Sequence, residues 1–384
     1  MRMFRLPPMQ HSAVALALIL AACTGTPPEP DGGAKPPPPV TSDEPVGADA
    51  DPKAEPEVVE PPAPVDPWGP ITEEQRAVMH AGDEEDRITT PIHYVQTNER
   101  RHDVWFPYLA DKRGIYVGVA ADQNYTLIGV AKSEFVFLMD LDWRVTELHR
   151  AYEVLIEASE TPQILHQRFH EDNADASVQL IEEALRGKVD DAQLRQITMS
   201  WRGARETVYL HLERVIARTQ DGAQTSWLSN PEYYAHIRKL YQNDRVRFLV
   251  GDLTGQKTLA TIGRAAEGLG LPVRVVYLSN AEEYYDYTKQ YRQNIMGLPT
   301  DENSIVLRTI YSKKWVHADS LWNYQVQPMA DYKLRLEDPK VLRRTRMLDA
   351  VDKLGVLERD ADGIKGLSRI NISLLPGWGA EAAQ

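Results

Sequence analysis

Four short apolar runs, each closing on polar residues, restrict the folds open to this chain. They are Gly114 to Asn124, Glu134 to Asp142, Arg245 to Thr254 and Pro272 to Glu282. Their ends carry Asp122, then Asp140 and Asp142, then Asp252, then Ser279, Asn280 and Glu282. The second run holds Phe135-Val136-Phe137-Leu138-Met139 without interruption. A strand apolar on both faces belongs in a parallel sheet covered by helices on either side. Ligands of such sheets bind beyond the carboxyl ends of the strands. If the four strands are neighbours, all of these polar residues converge on one crevice.

The segments between the runs read as helices. Tyr125 to Lys132 is the first crossover, with Asp122, Gln123 and Asn124 placed to cap it. Trp143 to Ala158 carries Val145, Leu148, Tyr152, Leu155 and Ile156 on one stripe. Pro162 to Phe169, Ala176 to Leu185 and Ala192 to Ala217 repeat that spacing, so the roughly 100 residues between Asp142 and Val246 are a helical insertion after the second strand, about 143–240. Thr258 to Leu269 is a helix closed by Gly270 with Pro272 just beyond.

Ser304 to Ile310 is a fifth strand. Arg308 inside it is expected to pair with a buried acid. Lys314 to His317 and Trp322 to Pro328 suggest a hairpin, and Val341 to Leu357 a final helix with Arg343, Arg344 and Arg346 on its exposed side. The residues after Gly366 are expected to pack loosely. Ahead of the first strand, Thr72 and Gln75 have capping-box spacing for a helix over 71–82. Thr90 to His102 is polar and should wrap the surface, and Trp105, Phe106 and Tyr108 should pack against the sheet edge.

The ends set a different constraint. Arg2 and Arg5 precede an apolar stretch, Ser12 to Leu20, that is too short to span a bilayer. Leu20-Ala21-Ala22-Cys23 follows and resembles the lipobox of bacterial lipoproteins, which implies lipidation of Cys23 and a lipid bilayer as partner. Thr24, not an aspartate, comes next, which by the same resemblance points to the outer membrane of a diderm bacterium. Cys23 is the one cysteine of the chain, so the folded part has no disulfide, no cysteine nucleophile and no cysteine metal ligand. Residues 24–70 hold fifteen of the 26 prolines and a net charge of −8, the composition of an extended tether. Of the chain's net −13, about −7 remains on residues 71–384, which gives no electrostatic ground for nucleic-acid binding. The domain reading is therefore signal 1–23, tether 24–70, an α/β domain 71–335, and a C-terminal helix and tail 336–384.

The order of segments over roughly residues 110–330 resembles a class I S-adenosylmethionine-dependent methyltransferase domain: α/β, Rossmann-like, with a mostly parallel sheet and a helical insertion after the second strand. The resemblance implies S-adenosylmethionine as cofactor. Gly118 would sit at the cofactor turn, with Asp122 beside it. Asp140 would hold the ribose hydroxyls. Asp252, in Gly251-Asp252-Leu253, would meet the adenine amino group. Ser279 and Asn280 would fall at the substrate-side motif. Ala120 and Asp122 stand where the second and third glycines of a Gly-x-Gly-x-Gly turn would be. More narrowly, Gly118 to Thr126, Phe137 to Asp142, Gly251 to Thr254 and Tyr277 to Glu282 are similar to a group of uncharacterised bacterial proteins, some of them lipoproteins.

Three functions stay open on the sequence. The first is a membrane-anchored envelope lipoprotein whose methyltransferase-like crevice binds a nucleoside-type small molecule, with His149, Glu282 and Tyr284 as the acid/base candidates. The second is a non-enzymatic envelope binding or scaffolding lipoprotein, with the helical insertion docking a protein partner. The third reads Asp140-Leu141-Asp142 as the metal-binding Asp-x-Asp of a glycosyltransferase; those two carboxylates share a face only if the strand runs through both. The bland readings are a helix cap for Asp122, a turn cap for Asp252 and a helix cap for Asn280. His166 and His170 have helical-pair spacing but no further ligand, and no metal site is expected.

Overall fold

The computed structural model describes residues 66–88 and 90–374. The signal, Cys23 and the tether through Val65 lie outside the described residues. No described helix is long and apolar enough to cross a membrane.

Eight strands form one sheet: β1 Ile115–Val119, β2 Phe135–Asp140, β3 Val246–Val250, β4 Val273–Tyr277, β5 Ile305–Ile310, β6 Asn323–Pro328, β7 Leu357–Arg359 and β8 Leu367–Ile370. Their order is β3-β2-β1-β4-β5-β6-β8-β7. The first five are parallel, β6 runs antiparallel to β5, β8 parallel to β6 and β7 antiparallel to β8. This is an α/β protein with a mostly parallel sheet and a Rossmann-like order across β3-β2-β1-β4-β5.

The longer helices are α1 Glu73–His80, α2 Gln123–Ala131, α3 Trp143–Glu157, α4 Pro162–Arg168, α5 Ala174–Leu185, α6 Asp191–Ile216, α7 Pro231–Gln242, α8 Thr258–Leu269, α9 Lys289–Met296, α10 Met329–Glu337 and α11 Arg344–Lys353, with a single helical turn at Phe106–Leu109. Strand alternation divides the core into two layers. Ile115, Val117, Phe135, Phe137 and Met139 face α8 to α11 through Ile262, Ile295, Tyr332 and Met347. Tyr116, Val136, Leu138 and Phe248 face the other side, where Leu148, Ile181, Trp201, Leu212 and Ile237 come from α3 and the insertion. The insertion thus thickens one face of the sheet. Among the described residues its strand content is a two-residue hairpin turning at Asp221 and Gly222, both at positive φ.

Local signals explain the helix starts. Thr72 and Gln75 form the expected capping box on α1. Asp142, Asp190 and Asn230 cap α3, α6 and α7 with their side chains. Gly270, at φ 65°, ends α8.

Several expectations are corrected. The antiparallel partner of β6 is β5, with Ile305 opposite Pro328 and Ile310 opposite Asn323, whereas 314–317 forms no strand. Residues 367–370 are not loose, because β8 pairs with β6 and β7 and its Leu367 is fully buried, whereas 375–384 lie outside the described residues. The sheet therefore runs past residue 335, and residues 336–370 belong to the same body. Trp105 is not at the edge; it is buried with its ring 4.9 Å from Tyr324 and 6.0 Å from Tyr277, across β4 and β6. Arg344 is buried and donates to the Thr309 carbonyl at 3.0 Å, so of the three arginines on the final helix only Arg343 and Arg346 are exposed.

Candidate functional site

The carboxyl ends of β1 to β4 place most of the anticipated residues along one rim, but turn most of those side chains toward partners elsewhere in the protein. The turn after β1 holds Ala120 at φ 69°. That is the left-handed region a glycine would take freely, so the alanine there is strained. His149, buried on α3, holds the turn in place. Its Nε2–H donates to the Ala120 carbonyl at 2.8 Å, and its Nδ1 accepts from the Tyr125 hydroxyl at 2.6 Å. Tyr241 in turn donates to Tyr125 at 2.7 Å. Burial pushes the His149 imidazole down to about 4, so it serves as a neutral strut.

Gly118 is a glycine for an internal reason. A Cβ there would overlap the Asn124 amide oxygen and the Tyr116 ring. Asn124 Oδ1 accepts from Tyr116 at 2.8 Å, and its Nδ2 donates to the carbonyls of Val119 and Ala121. Asp122 sits at the start of α2 without capping it. Its carboxylate faces inward and is 2.8 Å from His211 Nε2 on α6, with Trp227 Nε1–H donating at 3.2 Å. Burial alone would raise its carboxyl; the attraction and hydrogen bond of His211, helped by Trp227, bring it below the usual range.

Asp140 closes β2 and is partly exposed. Burial pushes its carboxyl up to about 7, although the amides of Asp142, Ala120 and Leu141 donate to it. Asp142 is buried and accepts from the Arg144 amide, from Thr90 Oγ1 at 2.9 Å and from His93. With the second acid capping α3, the pair does not present two carboxylates to one cation. Among the described residues no group of three or more His, Cys, Asp or Glu is placed to hold a metal. His166 meets the Tyr209 carbonyl at 3.1 Å and His170 the Asp172 amide at 3.2 Å.

Asp252 Oδ1 accepts from the Thr254 amide at 2.7 Å and its hydroxyl at 2.8 Å, a local turn. Leu253 is a core residue. Ser279 Oγ donates to Glu99 at 2.7 Å. Asn280 makes no cap; its Nδ2 lies 3.5 Å from the Tyr284 hydroxyl.

Glu99 is the residue that sequence reasoning missed. Residues 83–88 and 90–102 run across the strand ends as a strap: Glu85 N–H donates to the Val250 carbonyl at 3.0 Å, Ile88 bridges Asp142, and Glu99 is buried beyond them. Its carboxylate accepts from Tyr277 at 2.8 Å, Ser279 at 2.7 Å and Thr309 at 2.9 Å, and is 3.0 Å from His102 Nε2. The signal available was the Glu-x-x-His spacing inside an otherwise polar stretch.

Glu282 is fully buried away from the rim. It pairs with Arg308 at 3.1 Å and accepts from Tyr332 at 2.7 Å and from Tyr287. Burial would raise this carboxyl; Arg308 leads the groups that hold it below its usual range. The expectation that Arg308 pairs with a buried acid holds, and Glu282 is that acid. Tyr284 is 74 % exposed. It helps line a cavity of about 500 Å³ with Tyr285, Glu283, Asp286, Arg343, Arg344 and Thr345. Arg344 pairs with Glu283 at 2.7 Å, Arg343 with Asp286 at 2.8 Å, and α11 begins there with no side-chain cap.

The residues assigned by resemblance therefore do not fit S-adenosylmethionine as they stand. The space above Gly118 is filled by Asn124 and Tyr116, and Asp122, Asp252 and Ser279 have protein partners. The fold and this rim define an α/β protein of Rossmann-like order. Residues 94–371 match the family described as Domain of unknown function (DUF7790), and the chain belongs to that family. The match begins inside the strap and ends just past β8. No curated protein matches the sequence.

Proposed function

We propose that the chain is a membrane-tethered binding module rather than an enzyme, lipidated at Cys23 and exposed at the outer membrane. Its ligand is a small molecule with an anionic group, received by the cavity beyond β4 and β5. One observation carries this reading: the cavity opens on the uncapped start of α11, with Arg343 and Arg344 beside it. The first amides of a helix and its positive dipole end favour a phosphate or carboxylate there. An anion would compete with Glu283 and Asp286 for the two arginines, so affinity rests on the helix end and the tyrosine faces as well. The acid/base candidates support binding over catalysis, because His149 and Glu282 are locked in core networks and the exposed Tyr284 hydroxyl meets only the Asn280 amide among the described residues.

Calorimetric titration of the mature protein with adenosine monophosphate, inorganic phosphate, S-adenosylmethionine and S-adenosylhomocysteine tests the ligand site. Binding of the phosphate probes that weakens about tenfold in Arg343→Ala is expected. Tight S-adenosylmethionine binding that is lost in Asp140→Ala and Asp252→Ala would restore the cofactor reading. For the anchor, Cys23→Ala should move the protein from the membrane fraction to the soluble one.

A further inference from the structure

A second cavity, of about 380 Å³, lies against the outer edge of β3, between the end of α1, α3 and α6. It is lined by charged side chains, and nearly all of them already have partners. Glu147, on α3 behind the cavity and 1 % exposed, takes Arg87 at 2.6 Å and Arg150 at 3.2 Å. Asp244 takes Arg76 and His80. Arg247 donates to the carbonyls of Met79 and Ala81 at 2.6 Å each. Glu84 accepts from the Val250 amide at 3.0 Å.

Glu153 is the exception. It lines the cavity, yet it makes no hydrogen bond or ion pair among the described residues. Arg150 is three residues before it on α3, the spacing at which opposite charges meet. That arginine turns instead to Glu147 and lies 5.6 Å from the Phe248 ring centre. A carboxylate taken out of water without a donor is costly unless a cation joins it. Burial, reinforced by Glu157 and Asp244 and only partly countered by Arg150 and Lys188, pushes its carboxyl up to about 7.

The strand edge supplies further acceptors. Arg245 and Gly251 give their backbone groups to β2, so alternation turns Val246, Phe248 and Val250 outward. Val250 is covered by Glu84 and Glu85, whereas Val246 and Phe248 line the cavity. An ammonium group has three N–H donors and no acceptor. A carboxylate beside outward backbone carbonyls suits it, and the arginines around it are already occupied.

We propose that this cavity binds a small primary ammonium compound, of diamine or amino-acid size, with Glu153 as its counter-ion. The volume is that of a small-ligand site. The site is separate from the cavity beyond β4 and β5, so either can fail without the other.

The test is calorimetric titration of the mature protein with putrescine and with L-lysine, using sodium acetate as the anionic control. Both amines should bind, acetate should not, and Glu153→Gln should weaken amine binding about tenfold or more. Glu153→Asp, which keeps the charge, should retain most of it. Thermal unfolding of each variant confirms that the fold is intact. Absence of amine binding to the wild-type protein, or binding unchanged in Glu153→Gln, overturns the proposal. Acetate binding that is lost in Arg150→Gln also overturns it, because the cavity would then be an anion site.

Discussion

Two carboxylates on opposite faces of the sheet, Glu282 fully buried and Glu153 half-buried, are solved in different ways. Glu282 lies in the layer under α9 to α11, where Arg308 and two tyrosine hydroxyls meet it and keep it charged. Glu153 lies half-buried on α3, in the layer thickened by the insertion, with no hydrogen-bond donor to meet it among the described residues, and its carboxyl rises to about 7. A satisfied buried charge is architecture, and breaking it leaves its partner stranded. An unsatisfied one marks a place where the molecule gives up stability for something it has yet to meet. The rim shows a milder contrast, where Asp122 is paired with His211 and Asp140, met by backbone amides, remains raised.

The largest expected effect is at the paired end. Arg308→Met leaves Glu282 buried without its cation and should destabilise the protein by about 3–5 kcal/mol in urea unfolding. A loss below about 1 kcal/mol would mean that Glu282 is neutral in the fold and the contrast with Glu153 false. Asp122→Ala strands His211 and Trp227 in the core and should cost about 2–4 kcal/mol in the same measurement, more than a helix cap is worth.

The raised carboxyls predict the opposite sign. Their folded values of about 7 exceed those of an unfolded chain, so the folded protein holds extra protons between roughly pH 4 and 7 and loses stability as pH rises through that window. Glu153→Gln and Asp140→Asn should therefore stabilise by about 1–2 kcal/mol at pH 8, allowing for partial exposure, and by almost nothing at pH 4. Unfolding curves at both pH values check this, and a gain that is equal at both would refute the titration argument. At the small end, Asp252→Ala removes a local turn contact and should cost no more than about 1 kcal/mol.

Much of the sheet was legible because its signals are local. The apolar runs of β1 to β4, the Gly270 stop and the capping pair Thr72 and Gln75 each lie within a few residues of what they specify. Arg308 inside an apolar strand pointed to a buried acid, although nothing in its neighbourhood said which. The C-terminal strands were not legible: β7 and β8 are three and four residues long, and Ser368 and Arg369 interrupt any apolar run. The place of β8 is set by pairing with β6, some 40 residues earlier in the chain, and that of β7 by pairing with β8. The polar residues close or follow their strands, which is local, but which way each one faces is not.

The sequence by itself determined that parallel strands alternate with helices, that a helical block follows the second strand, and that the acids collect at one end of the sheet. Burial pattern and helix period carry that information, and both are read along the chain. Only the tertiary structure decided that Asp122 belongs to His211, 89 residues away, that Glu99 fills the end of β4, and that Glu153 has no hydrogen-bond partner among the described residues. The physical reason is that a polar side chain's role depends on the donors and acceptors within about 3 Å of it, and in a core assembled from distant segments the chain order does not specify them.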